Sequence, residues 1–155
     1  MGVTKVAFVG LGAMGLPMAR SLVRAGFETS GFDLRRDAVA AFANEGGRPA
    51  SSVTEAADGA DALLLMVVNI SQAEQVLFET GALKSLRMGA IVILSATCPP
   101  ASVAQLANRV HAAGYRFLDA PVSGGTVGAQ SAKLSIMAAG PQETFEVAKP
   151  LLQRQ

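Results

Sequence analysis

Apolar residues in this chain gather in short, dense runs of valine, isoleucine, leucine and alanine, separated by stretches with helical spacing. Val6-Ala7-Phe8-Val9, Thr29 to Phe32, Ala62 to Val68, Ala90 to Leu94, Tyr115 to Leu118 and Leu134 to Ala138 predict strands. Those in the middle are continuous rather than alternating, which is the pattern of strands covered on both faces of a parallel sheet. Met14, Met18 and Leu22 fall at i, i+4 and i+8 and predict a helix, with Gly26 as its left-handed stop. Val103, Leu106 and Val110 predict another, opened by Pro99-Pro100 and closed by Gly114. Asp37 to Ala43, Thr54 to Ala57, Ser71 to Phe78 and Gln142 to Leu152 carry less regular helical patterns. Strand and helix alternate from end to end. The expected fold is therefore α/β, a single doubly wound and mainly parallel sheet with right-handed crossovers over residues 1–155.

Composition narrows the function classes. The 155 residues are 50% hydrophobic and 16% charged, the balance of a packed globular domain. Thirteen basic and twelve acidic side chains leave a net charge of +1, with neither a basic stripe nor a basic amphipathic helix. No nucleic-acid or membrane partner is expected on that account. The longest apolar run, Ala62 to Val68, is far shorter than the ~20 residues that span a bilayer. Cys98 is the only cysteine, so neither an intramolecular disulfide nor a cysteine-rich zinc site can form, and no metal is expected. With no apolar signal segment behind Met1 to Lys5, the expected location is the cytoplasm.

The first strand leads directly into Gly10-Leu11-Gly12-Ala13-Met14-Gly15, and a helix follows. In such a turn Gly10 permits the tight bend, Gly12 lets the backbone approach a pyrophosphate, and Gly15 brings the helix close to the sheet. The N–H groups at the helix start, at its positive end, then hold a diphosphate. Pro17 in the first turn costs little, because its missing N–H has no partner there. Asp33 ends the second strand eighteen residues after Gly15, close to the spacing of a ribose-binding carboxylate. The same residues also serve as a generic strand-to-helix turn and as a helix cap or solvated acid. A carboxylate at this place favours NAD, while Arg35 and Arg36 keep NADP open, since either guanidinium can reach a 2′-phosphate.

Ligands of such sheets bind beyond the carboxyl ends of the strands. The loops there are Val67-Val68-Asn69, Ser95-Ala96-Thr97-Cys98-Pro99-Pro100, and Asp119-Ala120-Pro121-Val122-Ser123-Gly124-Gly125. Thr97 precedes a proline-opened helix and is equally readable as its N-cap. Ser123-Gly124-Gly125 offers one hydroxyl and successive unobstructed N–H groups, an anion cradle or a flexible turn. His111 reads as a surface residue, and Cys98 is assigned no chemistry.

Together these motifs make the sequence resemble the β-hydroxyacid dehydrogenases, which include 3-hydroxyisobutyrate, tartronate semialdehyde and L-threonate enzymes and, more distantly, 6-phosphogluconate dehydrogenase. The resemblance runs from Lys5 to about Leu152 and rests on the glycine turn with Pro17-Met18-Ala19, and on Asp119 to Gly125 followed by Gly128-Ala129. Val67-Val68-Asn69 with Gln72 look closest to the threonate branch. The resemblance implies a Rossmann-type domain and NAD(P)-dependent oxidation of a short β-hydroxy acid, or reduction of the corresponding semialdehyde. It implies that Gly10, Leu11, Gly12, Ala13, Met14 and Gly15 hold the diphosphate and Asp33 the adenosine ribose. Val67, Val68 and Thr97 are then placed along the nicotinamide, and Ser123, Gly124 and Gly125 on the substrate carboxylate. The family moves its proton with a lysine in a G-x-x-G-x-G-x-x-x-K-x-x-x-N segment, which does not occur in residues 1–155; Lys133 and Lys149 are not in it. The family's all-helical second domain is absent too. The expectation is thus a cofactor-binding fragment, inactive alone, of a homo-oligomeric enzyme with a small hydroxy acid as partner. Two competing expectations are a non-catalytic dinucleotide-binding module and an S-adenosylmethionine methyltransferase, in which Ser123-Gly124-Gly125 has no obvious purpose.

Overall fold

The structure, a computed structural model, describes residues 2–155. Six strands, β1 (Lys5–Val9), β2 (Glu28–Phe32), β3 (Arg48–Pro49), β4 (Ala62–Leu65), β5 (Ile91–Leu94) and β6 (Arg116–Asp119), form one sheet. Their order is β3-β2-β1-β4-β5-β6 and every neighbouring pair is parallel. Two short strands, β7 (Val122–Ser123) and β8 (Ser135–Ile136), form a separate antiparallel pair. The helices are α1 (Gly15–Arg24), α2 (Arg36–Asn44), α3 (Val53–Ala57), α4 (Ile70–Glu74), α5 (Ala82–Ser85), α6 (Pro100–Ala112), α7 (Gly125–Gln130) and α8 (Gln142–Leu152). A π-helical turn, Gln75–Glu79, prolongs α4. Among the described residues no helix is long and apolar enough to cross a membrane.

The unbroken apolar runs have the predicted cause. Alternate residues of each central strand feed different cores, because both faces of the sheet are covered. Ala7, Val9, Leu63, Leu65, Val92 and Leu94 pack with α3, α4, α5 and α6. Val6, Phe8, Leu64, Ile91 and Ile93 pack with α1, α2, α7 and α8 on the other side. Met18 and Leu22 of α1 and Val103, Leu106 and Val110 of α6 are buried as their spacing requires. Gly26 and Gly114 take φ of +96° and +93°. The N–H groups that follow them, of Phe27 and Tyr115, close onto Leu22 and Val110 carbonyls, so both helices end in the expected left-handed stop.

The sixth strand differs from expectation. Leu134 to Ala138 does not join the parallel sheet; its core, Ser135–Ile136, runs antiparallel to Val122–Ser123. The intervening α7 spans six residues, shorter than a parallel crossover needs, so the chain doubles back instead. The sheet's remaining edge is β3, whose Arg48-Pro49 carries no hydrophobic signal because it is exposed. The run Ala62 to Val68 stops pairing at Leu65, which frees Val67 and Val68 for the loop beyond. Ala132 adopts φ +56°, the one non-glycine residue with positive φ among those described.

Beneath the amino end of β4 sits a buried acid. Asp61 Oδ2 accepts the N–H groups of Thr4 and Lys5 and the Thr4 hydroxyl, each at 3.0 Å, and Oδ1 faces Arg87 Nε at 3.0 Å. Burial pushes this carboxyl up. The Lys5 and Thr4 N–H groups, the Thr4 hydroxyl and Arg87 outweigh it and hold the pKa below 3.8. A depressed folded-state pKa contributes stability that is present above pH 3.8 and lost as pH falls below it. Asp61→Asn should therefore cost about 2 kcal/mol near neutral pH. The gap to the parent should narrow below pH 3.8, as urea unfolding at neutral and acid pH will measure. Ala132→Gly should do the opposite. Relief of left-handed strain, less the larger entropy glycine loses on folding, predicts a gain of about 0.5–1 kcal/mol in the same assay.

Candidate functional site

Parallel pairing brings the carboxyl ends of β1, β2, β4, β5 and β6 to one edge of the sheet. Chain order reverses between β1 and β4, and a crevice forms at such a reversal. The glycine turn sits there. Gly10 has φ +103°, and a Cβ on it would overlap the Met66 carbonyl that follows β4. A Cβ on Gly15 would overlap the Gly10 carbonyl and touch the Phe8 ring at 3.2 Å. Gly15 thus closes the loop on itself as well as on the sheet. Gly12 is different: its missing Cβ faces open space, with only Arg35 Nη2 nearby at 3.7 Å.

The start of α1 is left without a cap. Its N-cap residue, Met14, makes no side-chain cap bond, and the first turn holds no acidic residue. The N–H groups of Gly12, Ala13 and Met14 reach no backbone carbonyl among the described residues. By contrast Ser52 caps α3 through the Glu55 N–H, and Asn69 caps α4 through the Gln72 N–H at 2.9 Å. A ten-residue helix with bare donors and an unopposed positive end is chemically an anion site, and the open face of Gly12 lets a diphosphate lie against it. The residues fit a dinucleotide.

Asp33 stands at the end of β2 with its carboxylate turned inward. Oδ2 accepts the Leu11 N–H at 2.8 Å, and Oδ1 accepts the Arg35 N–H at 2.8 Å with Arg35 Nε at 3.5 Å. It is therefore neither a free acid nor a simple cap: it ties the glycine loop to the β2–α2 turn. Oδ2 keeps a second lone pair for a ribose hydroxyl. Spacing located Asp33 but gave no sign of this tie, because both partners are backbone N–H groups.

On the other side of the reversal, Gln72 Oε1 accepts the Val68 N–H at 2.9 Å, so Asn69 and Gln72 fix the loop after β4 from both ends. That loop holds Val68 with 79% of its surface exposed, and Leu34 beside Asp33 is 91% exposed. Each is a single exposed apolar side chain on a loop at the carboxyl edge of the sheet. Leu34 went unnoticed in the sequence, where a lone leucine between charges carries no period. Thr97 is exposed and does not cap α6, whose N-cap is Pro99.

Ser123, Gly124 and Gly125 lie exposed where β7 turns into α7, with φ +127° and +61° at the two glycines. Helix α7 packs against α1, which joins this turn to the helix that bears the glycine loop. Asp119, at the end of β6, has its carboxyl raised by burial. The Cys98 thiol is raised by burial and then by the Asp119 charge, so it stays protonated and poorly nucleophilic. His111 is exposed, as its position implied.

Comparison with known proteins shows the family to which the chain belongs. The model of the NAD-binding domain of 6-phosphogluconate dehydrogenase matches residues 5–155. L-Threonate dehydrogenase of Cupriavidus necator is 42% identical over 148 residues, which are 95% of this chain and 50% of that protein. Human mitochondrial 3-hydroxyisobutyrate dehydrogenase is 37% identical over 150 residues, 96% of this chain and 45% of that one. The solved structure of Mycobacterium tuberculosis 3-hydroxyisobutyrate dehydrogenase with L-serine superposes with a TM-score of 0.93 at 34% identity. It is covered over 52% of its length by 98% of this chain. The chain spans about half the length of the curated relatives it matches.

The three loop glycines should separate on substitution. Gly12→Ala should fold with its melting temperature unchanged while NADH affinity falls by about tenfold or more, read by fluorescence titration. Gly10→Ala and Gly15→Ala should lower the melting temperature itself, because there a Cβ meets backbone.

Proposed function

This chain belongs to the family of NAD-binding domains carried by 6-phosphogluconate dehydrogenase, and from that premise we propose that residues 1–155 are the cofactor half of a dehydrogenase. The reaction is oxidation of a short β-hydroxy acid of the threonate or 3-hydroxyisobutyrate kind, or reduction of the corresponding semialdehyde. The observation that carries this reading is the bare, uncapped start of α1 at the chain-order reversal, next to the outward-facing Gly12. Relatives named for hydroxy-acid substrates support the substrate class.

In this reading the loop Gly10, Leu11, Gly12, Ala13, Met14 and Gly15 holds the diphosphate through the unpaired N–H groups of Gly12, Ala13 and Met14, since the Gly10 and Leu11 N–H groups are given to Phe32 and Asp33. Asp33 Oδ2 accepts a ribose hydroxyl while it keeps the Leu11 N–H. Leu34 and Val68 cover apolar ring surface, and Val67 and Thr97 line the nicotinamide side. Ser123, Gly124 and Gly125 receive the substrate carboxylate through one hydroxyl and two backbone N–H groups. When bound, the dinucleotide supplies hydride transfer, and the chain's contribution is distance, orientation and charge.

In this reading the proton is taken by a group outside residues 2–155. Lys133 follows α7 and Lys149 lies on α8, and neither belongs to the segment in which the family carries its lysine. The 155-residue chain should therefore bind NADH saturably and turn nothing over. Titration calorimetry with NADH, and absorbance at the NADH band with L-threonate or 3-hydroxyisobutyrate plus NAD, will check both halves. Steady NADH production would refute the division of labour, and absence of NADH binding would refute the cofactor reading altogether.

A further inference from the structure

The groove between α6 and β6 takes no part in the dinucleotide reading. β6 is the last strand of the sheet, and beyond it Ala139 pairs with Asp119 in a single antiparallel bridge. A cavity of about 340 Å³ lies there, in the size range of small-molecule sites. Its walls are Val103, Ala104 and Ala107 of α6, Phe117 of β6, and Gly140 and Pro141 before α8. Gly140 brings its backbone against β6, since a Cβ there would stand 2.9 Å from Leu118 Cδ1 and 3.2 Å from the Phe117 carbonyl.

Asp119 lines this apolar cavity, and no lysine or arginine does. Phe117 and Asp119 are alternate residues of β6 and so share the face that α6 covers. Burial raises the Asp119 pKa, and no partner among the described residues lowers it again. Cys98 adjoins this end of the cavity; the Asp119 charge helps to keep its thiol protonated, so it adds no second anion. His111 lies eleven residues along α6 from Pro100, about 16 Å of helix, at the other end. An apolar slot that ends in a carboxylate without a partner is complementary to a cation carried on an apolar body.

We propose that the α6–β6 cavity binds a small organic ammonium ion, with its apolar body between Ala104, Ala107 and Phe117 and its N–H groups donated to Asp119. A primary ammonium carries three such donors, and a bond from one of them to a carboxylate is charge-assisted. The site is separate from the glycine loop, because β4 and β5 stand between β1 and β6. It therefore holds or fails independently of the dinucleotide reading.

The test titrates the 155-residue chain at neutral pH with benzylamine, benzyl alcohol and benzoate, following backbone amide NMR shifts. Benzylamine should saturate shifts at Ala107 and Gly140 with a Kd of about 1 mM or tighter. Benzyl alcohol, which keeps the ring and loses the charge, should bind about tenfold more weakly, and benzoate should not bind. Asp119→Asn should weaken benzylamine by about tenfold and leave benzyl alcohol unchanged. Ala104→Leu, at an exposed helix position, should fill the groove and abolish binding of both. Melting temperatures are read alongside; should Asp119→Asn lower its own, Ala104→Leu and the benzoate arm decide. No saturation by benzylamine up to about 10 mM overturns the inference. So does an undiminished affinity in either folded variant, or benzoate bound as tightly as benzylamine. Shifts confined to Gly12 and Ala13 also overturn it, since they put the amine in the dinucleotide crevice.

Discussion

The Met66 carbonyl lies where a Cβ on Gly10 would stand, and the Gly10 carbonyl lies where a Cβ on Gly15 would stand. Backbone therefore meets backbone twice within one turn, and only glycine allows either contact. The first contact packs the loop leaving β1 against the loop leaving β4, at the place where the order of strands reverses. The second folds the start of α1 onto that turn, where the Gly12, Ala13 and Met14 N–H groups stay without a backbone partner. Every residue offered here for binding takes its place relative to those two contacts.

Around this point the molecule is held by burial and by a few well-placed acids. Strands β4 and β5 are wholly buried, so each residue they contribute serves one core or the other, at roughly 1.5–3 kcal/mol for a full leucine- or isoleucine-sized side chain. Asp61 fastens the amino end of the sheet and Asp33 the carboxyl end, each by accepting backbone N–H groups from a neighbouring segment. The first has nothing to do with ligands. The second lies in the site, and its inward commitment is what leaves Arg35 as the exposed charge there.

How far the sequence alone reached differs between elements. Period and stop signals placed α1 and α6 well, because Met18, Leu22, Val103, Leu106 and Val110 each face a core at regular spacing. The glycine turn was legible for the same kind of reason: it depends on residues adjacent in sequence. β3 was not, since Arg48-Pro49 is an exposed edge and edges need no hydrophobic run. Ser135–Ile136 was seen as a strand but assigned to the wrong sheet, because an apolar run records burial and not the direction of its partner.

The sequence by itself determined the local matters: the buried central strands, the periodic helices α1 and α6 with their glycine stops, and a phosphate-sized loop that opens the first helix. Those follow from steric and burial rules that act over a few residues. Tertiary structure alone decided that Asp33 turns its carboxylate onto Leu11, that Arg35 stands over Gly12, and that the chain doubles back after β7. Such choices join groups on different elements through hydrogen bonds and charge, and no spacing along the chain encodes them.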